Sequence, residues 1–139
     1  GHPGPGERPE DAVRRRLRDE LGLQALDLRL VLPDFSYRAS LHGIEENELC
    51  PVFVCTLEGD PRPDPAEVAE VHRVPFEAID VPPRFLAIPE SDAPVIQVPL
   101  FGRFVHAPTA ALLYQFREVV LHRRSTRVAH LEQPVFAWR

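Results

Sequence analysis

The apolar positions of this chain repeat at two different periods, and the alternation between them sets the expected architecture. Val13, Leu17 and Leu21 recur at i, i+4 and i+8, the spacing of one helical stripe. Pro9 suits the first turn of such a helix, Glu10 and Asp11 favour its positive end, and Gly22 is a natural stop. A helix is therefore predicted over residues 9–21, preceded by a Gly/Pro loop over 1–8. Extended segments are expected at 28–32 and 35–39, separated at Pro33, with a turn at His42-Gly43 and a third run over 45–57. Residues 68–74 read as a further strand. The helical period returns over 108–123, where Leu112, Phe116, Val119 and Val120 form one side, and 128–138 reads as an edge strand. Loop, helix and strands in this order predict an α/β sandwich.

Composition narrows the picture. With 139 residues and 44% hydrophobic content, the chain has enough material for one core and too little for two ordinary domains. Its 16 prolines crowd into residues 61–99, which predicts short strands and loops there. Cys50 and Cys55 match neither a CxxC redox pair nor a zinc knuckle and read as reduced thiols. No stretch approaches the ~20 apolar residues of a membrane span, and no signal peptide is recognisable, so a soluble cytoplasmic protein is expected.

Charge removes several chemistries. All 16 basic residues are Arg, which excludes a Walker-A lysine and Schiff-base catalysis. A net charge of −5 argues against nucleic acid or an anionic membrane as partner. An anionic substrate must then be met by local Arg or by a metal ion.

Two constellations carry candidate chemistry. On the first helix Arg16 and Glu20 lie one turn apart, beside the apolar stripe and next to a Gly-rich loop. A carboxylate there can place Mg²⁺ against a diphosphate, although a plain surface helix shows the same i, i+4 pairs. In the second, Glu46, Glu48 and Cys50 share one face of a strand and Leu49 takes the other. Adjacent carboxylates repel unless a cation or a shared proton relieves them; a solvated edge strand is the competing account. His2 becomes a third ligand of suitable hardness only in company with that pair. Phe35 and Tyr37 fall on one face, and spacing alone does not decide whether the phenol lies in a core or a site.

The order of these residues resembles a known family. The pattern Gly1-x5-Glu7-x7-Arg15-Arg16-Leu17-x-Asp19-Glu20-x-Gly22-Leu23 is similar to the Nudix box. Its form here, GHPGPGE then EDAVRRRLRDELGL, followed by LPDFSYRA and GIEENELCPVF, resembles type 1 isopentenyl diphosphate isomerases across residues 1–53. Nudix hydrolases usually carry Glu where this chain has Arg16, and often another where it has Asp19, whereas the isomerases carry Arg at the former.

The resemblance implies a Nudix-like α/β/α sandwich with a mixed sheet, lacking its first strands, as one partial domain over 1–139. It implies that His2, Glu46 and Glu48 hold an inner divalent metal, Mn²⁺ or Zn²⁺, and that Glu20, with Arg16 nearby, binds Mg²⁺ and the substrate diphosphate. Glu48 and Tyr37 match the acid side of a proton shift on a prenyl diphosphate, with no nucleic acid or membrane partner.

Departures from the family pattern accompany it. The family's catalytic Cys stands directly before the Gly-His-Pro, with further His ligands and basic residues upstream, and the given chain starts at Gly1; a fragment inactive by itself is expected. No Trp occurs before Trp138, and residues 106–111 resemble the last helix of Nudix diphosphatases such as coenzyme A diphosphatase. The alternatives are accordingly a Nudix diphosphatase or an inactive Nudix-like module.

Overall fold

Helix α1, Pro9–Leu21, has the predicted limits, and both are local effects. Pro9 occupies the first turn after Arg8, and Gly22 ends the helix in the left-handed conformation (φ 63°), which glycine adopts without a Cβ penalty. In the computed structural model of the chain the described residues are 3–41, 44–87, 89, 95–106 and 109–124, with the backbone alone for 37–41 and 44–47. The turn expected at His42-Gly43 and the edge strand expected over 128–138 lie outside them. The chain divides into two compact units, Gly1–Val31 with Phe53–Arg73 and Leu32–Val52 with Val74–Arg139.

In the first unit α1 is followed by β1, Gln24–Leu32, which pairs with β4, Val52–Glu58. β1 starts four residues before its predicted limit because Asp27 hides the alternation. With φ 49° Asp27 shifts the strand's period, so Ala25 is buried and Leu28 and Val31 are half-buried while Leu26 and Leu30 are exposed. Aspartate is among the few L-residues that tolerate this backbone region. The run expected over 45–57 is divided, since β3, Ile44–Leu49, ends before Cys50 and Pro51 and β4 begins at Val52. A proline supplies no ladder donor. Residues 68–74 form no strand; among the described residues no strand pairs with them, and Pro75 follows directly.

The loop after β4 closes α1. The amides of Arg62 and Asp64 donate to the carbonyls of Leu21 (2.7 Å) and Glu20 (2.8 Å), while Gly22 and Leu23 donate to Arg18 and Leu17. Four carbonyls of the last helical turns are thus satisfied.

In the second unit β2, Ser36–Leu41, pairs with β3 in an antiparallel hairpin. A separate antiparallel sheet has the order β5-β6-β7, from Arg84–Leu86, Val95–Leu100 and Arg103–Val105. Residues 95–97 of β6 pair with β5 and residues 98–100 with β7, so no position is paired on both sides. Pro99 is tolerated because its nitrogen need not serve a second ladder. Phe101 and Gly102, with φ 51° and 70°, form the two-residue turn into β7, the type with left-handed residues at both positions.

Short helix α2, Phe76–Ile79, and helix α3, Thr109–Phe116, pack on β6. The core of this unit includes Val95, Ile96, Val98, Ala110, Ala111 and Phe116, with Phe76 against Phe116 at 5.5 Å between ring centroids. The helix expected over 108–123 changes character at Arg117, where a π-helical segment runs to Leu121. Ala111, Gln115 and Glu118, spaced i, i+4 and i+7, are buried on one face, so two polar side chains point inward while Val119 and Val120, expected there, are half-buried. Glu118 is compensated by Arg117 Nη1 (2.7 Å) and Arg124 Nη1 (3.0 Å), as a buried carboxylate requires. The mixture of helices and sheets matches the α/β expectation.

Candidate functional site

The loop before α1 is pinned to the helix by one carboxylate. Arg15 donates from Nε to Glu7 Oε2 and from Nη2 to Glu7 Oε1, both at 3.1 Å, and the Gly4 amide donates to Oε1 at 2.9 Å. Two parallel N–H···O bonds fix direction as well as distance. The Arg15 guanidinium, and then the Gly4 amide, hold the Glu7 carboxyl below its ordinary value. One residue further along α1, Arg16 Nη2 pairs with Glu20 Oε1. Both side chains remain partly open to solvent, at 39% and 27%, so Glu20 is reachable from outside the helix.

The hairpin of the other unit assembles the second group. Tyr37 stands opposite Glu48, and Ala39 opposite Glu46. Opposed residues of an antiparallel pair lie on one face, as do residues two apart on a strand. Tyr37, Glu46 and Glu48 therefore occupy neighbouring positions on one face of the hairpin. Glu48 is half-buried, and the Cys50 thiol donates to its Oε2 at 3.7 Å, which keeps Cys50 on the carboxylate side as expected. Just beyond the hairpin, the Cys50 amide donates to the Phe35 carbonyl at 2.7 Å. Phe35 itself is a core residue, 1% exposed.

Residues 1–97 match the NUDIX domain family. The chain belongs to the Nudix family. Among curated proteins this Nudix chain is similar to isopentenyl-diphosphate Delta-isomerases. It is 48% identical to that of Frankia alni over 115 residues, covering 81% of this chain and 58% of the relative. It is 46% identical to that of Kocuria rhizophila over 109 residues, covering 78% and 57%. To that of Mycolicibacterium vanbaalenii it is 54% identical over 78 residues, covering 55% and 43%. The chain spans about half the length of the curated relatives it matches.

The Nudix box accordingly occupies the Gly/Pro loop and α1. Of the residues singled out in the sequence, Arg16 and Glu20 meet on α1, and Tyr37, Glu46 and Glu48 hold register positions on one face of the hairpin. His2 lies outside the described residues. Among the described residues no group of three or more His, Cys, Asp and Glu side chains is close enough to share a metal ion. The donors present on each unit are hard carboxylate oxygens, which suit Mg²⁺ or Mn²⁺. The bond from Arg15 to Glu7 was not foreseen, because a loop residue meeting a helix residue eight positions later leaves no periodic signal.

Proposed function

We propose that the complete protein isomerises isopentenyl diphosphate to dimethylallyl diphosphate, the reaction named by its relatives. The observation that carries this reading is the ion pair between Arg16 and Glu20. A guanidinium occupies the helix position from which a hydrolytic Nudix box would offer another carboxylate. This face of α1 then offers fewer metal ligands for activating water, and it retains a cation for a diphosphate oxygen.

The reaction needs a proton delivered to C4 of the substrate, which places a tertiary cation at C3, and a proton removed from C2 on the opposite side. Glu48 and Tyr37, at opposed register positions on the hairpin, are assigned to the acid side; a carboxyl and a phenol are groups that can pass a proton to an alkene that water cannot reach. Glu46 and Glu48, together with His2, would hold an inner Mn²⁺ or Zn²⁺, and Glu20 would hold Mg²⁺ with the diphosphate. Bound there, such ions would fix the carboxylates and neutralise phosphate charge. Arg16 adds a bidentate donor for a diphosphate oxygen.

The test supplies isopentenyl diphosphate to the complete protein with Mg²⁺ and Mn²⁺ and follows the products. Dimethylallyl diphosphate is expected. Release of inorganic phosphate or pyrophosphate without it overturns the reading in favour of a diphosphatase, and no turnover favours a binding module. The reading implies a soluble enzyme of isoprenoid synthesis; among the described residues no helix is long and apolar enough to cross a membrane.

A further inference from the structure

Arginines 14 and 18 lie on α1 about 200° around the axis from Arg16 and Glu20, given 100° per residue. With Gly22, Leu23, Gln24 and Ala25 they line a half-open cleft of about 380 Å³ in the first unit. Its chemistry differs from that of the metal-binding face. Two like charges one turn apart repel, and the partners they have lie to one side of each. Arg14 reaches Asp11 only at 3.7 Å, and Arg18 meets Asp19 at 3.3 Å where the two are 69% and 55% exposed.

A third cation lies beside Gly22, one of the residues that line the cleft. Arg62 is brought to the end of α1 by the bond from its amide to the Leu21 carbonyl. Its guanidinium lies over Gly22 so closely that a Cβ there would stand 3.2 Å from Nε and 3.6 Å from Nη2. Glycine at this position therefore serves the helix stop and also leaves room for the arginine. Among the described residues the Arg62 side chain makes no ion pair.

Helix C-termini normally repel anions through their exposed carbonyls. Here the carbonyls of Leu17, Arg18, Glu20 and Leu21 are all occupied by amide donors, which mutes that field beside the guanidinium groups of Arg14 and Arg18 on the cleft wall and of Arg62 next to Gly22. The floor is apolar and covered, with Leu23 and Ala25 at 4% and 8% exposure. In a chain of net charge −5, a cleft walled by arginine and floored by hydrocarbon is a local exception.

We propose that this cleft is a binding site for a small phosphorylated molecule. Its phosphate would be held by Arg14, Arg18 and Arg62 without a metal ion, and its apolar part would lie on Leu23 and Ala25. The site is separate from the proposed catalytic groups, and its test needs neither metal nor turnover.

The complete protein is titrated in EDTA at low ionic strength with inorganic phosphate and, separately, with phenyl phosphate, and amide shifts are followed by NMR. Saturable shifts at Gly22 to Ala25 are expected, with phenyl phosphate several-fold tighter because the ring covers the apolar floor. Arg18→Ala and Arg62→Ala should each weaken binding about tenfold, the scale of one charge-assisted contact. Arg103→Ala, removing a charge that does not line the cleft, should leave it unchanged. Arg18→Gln on its largely exposed side chain serves should a truncation fail to fold, as judged by thermal melting. Shifts that do not saturate, equal response of all variants, or binding that requires Mg²⁺ would overturn the proposal.

Discussion

Tyr37 of β2 and Glu48 of β3 stand directly opposite one another in an antiparallel ladder, with Glu46 two positions along on the same face. The pairing brings a phenol and two carboxylates to adjacent positions although nine residues of sequence separate Tyr37 from Glu46. Like charges at that spacing repel, and a bound cation or a shared proton relieves them.

In the complete protein, Glu46→Gln and Glu48→Gln should each abolish metal binding and turnover. Tyr37→Phe should retain metal and lose roughly 10²- to 10⁴-fold in rate, the span of a positioned general acid. Isomerase assays paired with metal titration check this; full activity in both Gln variants removes them from the site.

Removing the guanidinium beside Glu20 tests the other face. Arg16→Ala should change stability by no more than about 0.5 kcal/mol, since exposed i, i+4 ion pairs contribute little. Calorimetric titration should show Mg²⁺ bound several-fold more tightly, because Glu20 no longer shares its carboxylate, and diphosphate bound more weakly.

Glu7 gives a pH dependence of definite sign. Its folded-state pKa is depressed, first by Arg15 and then by the Gly4 amide. The stability it contributes is present above the unfolded glutamate value and is lost as pH falls through the depressed value. The melting temperature of the parent chain should therefore decline over that acidic interval by more than that of Glu7→Gln. Parallel curves would remove the pair from the stability account.

Two substitutions in the β5-β6-β7 sheet should act in opposite directions in urea unfolding. Ile96, fully buried, should cost about 2–5 kcal/mol when changed to Ala, through lost burial and the cavity left behind. Phe101, with φ 51° in the turn, should gain roughly 1 kcal/mol as Asn, which tolerates the left-handed region at lower cost.

Local signals were the legible ones. Pro9 and Gly22 marked both ends of α1, and the i, i+4 spacing anticipated the pair of Arg16 with Glu20. Strand alternation placed Glu46 and Glu48 on one face, but the opposition of Tyr37 to Glu48 depends on hairpin register, which no single segment encodes. Residues 68–74 looked like a strand by composition and pair with none of the described strands, whereas Pro99 obscured a real one whose stagger excuses it. The burial of Glu118 was hidden because apolar periodicity counts only hydrophobic positions, and the face of α3 that turns inward carries Gln115 and Glu118 beside Ala111.

The closure of α1 by the amides of Arg62 and Asp64 bears on the order in which the protein is made. The helix carrying the Nudix box is synthesised before the loop that closes it, so its last turn acquires two of its hydrogen bonds only after Asp64 has emerged. Until then the carbonyls of Glu20 and Leu21 have water in place of those amides. The motif that names the family is thus completed by a stretch of chain outside the motif, and an insertion between β4 and Arg62 would loosen it without altering any of its own residues.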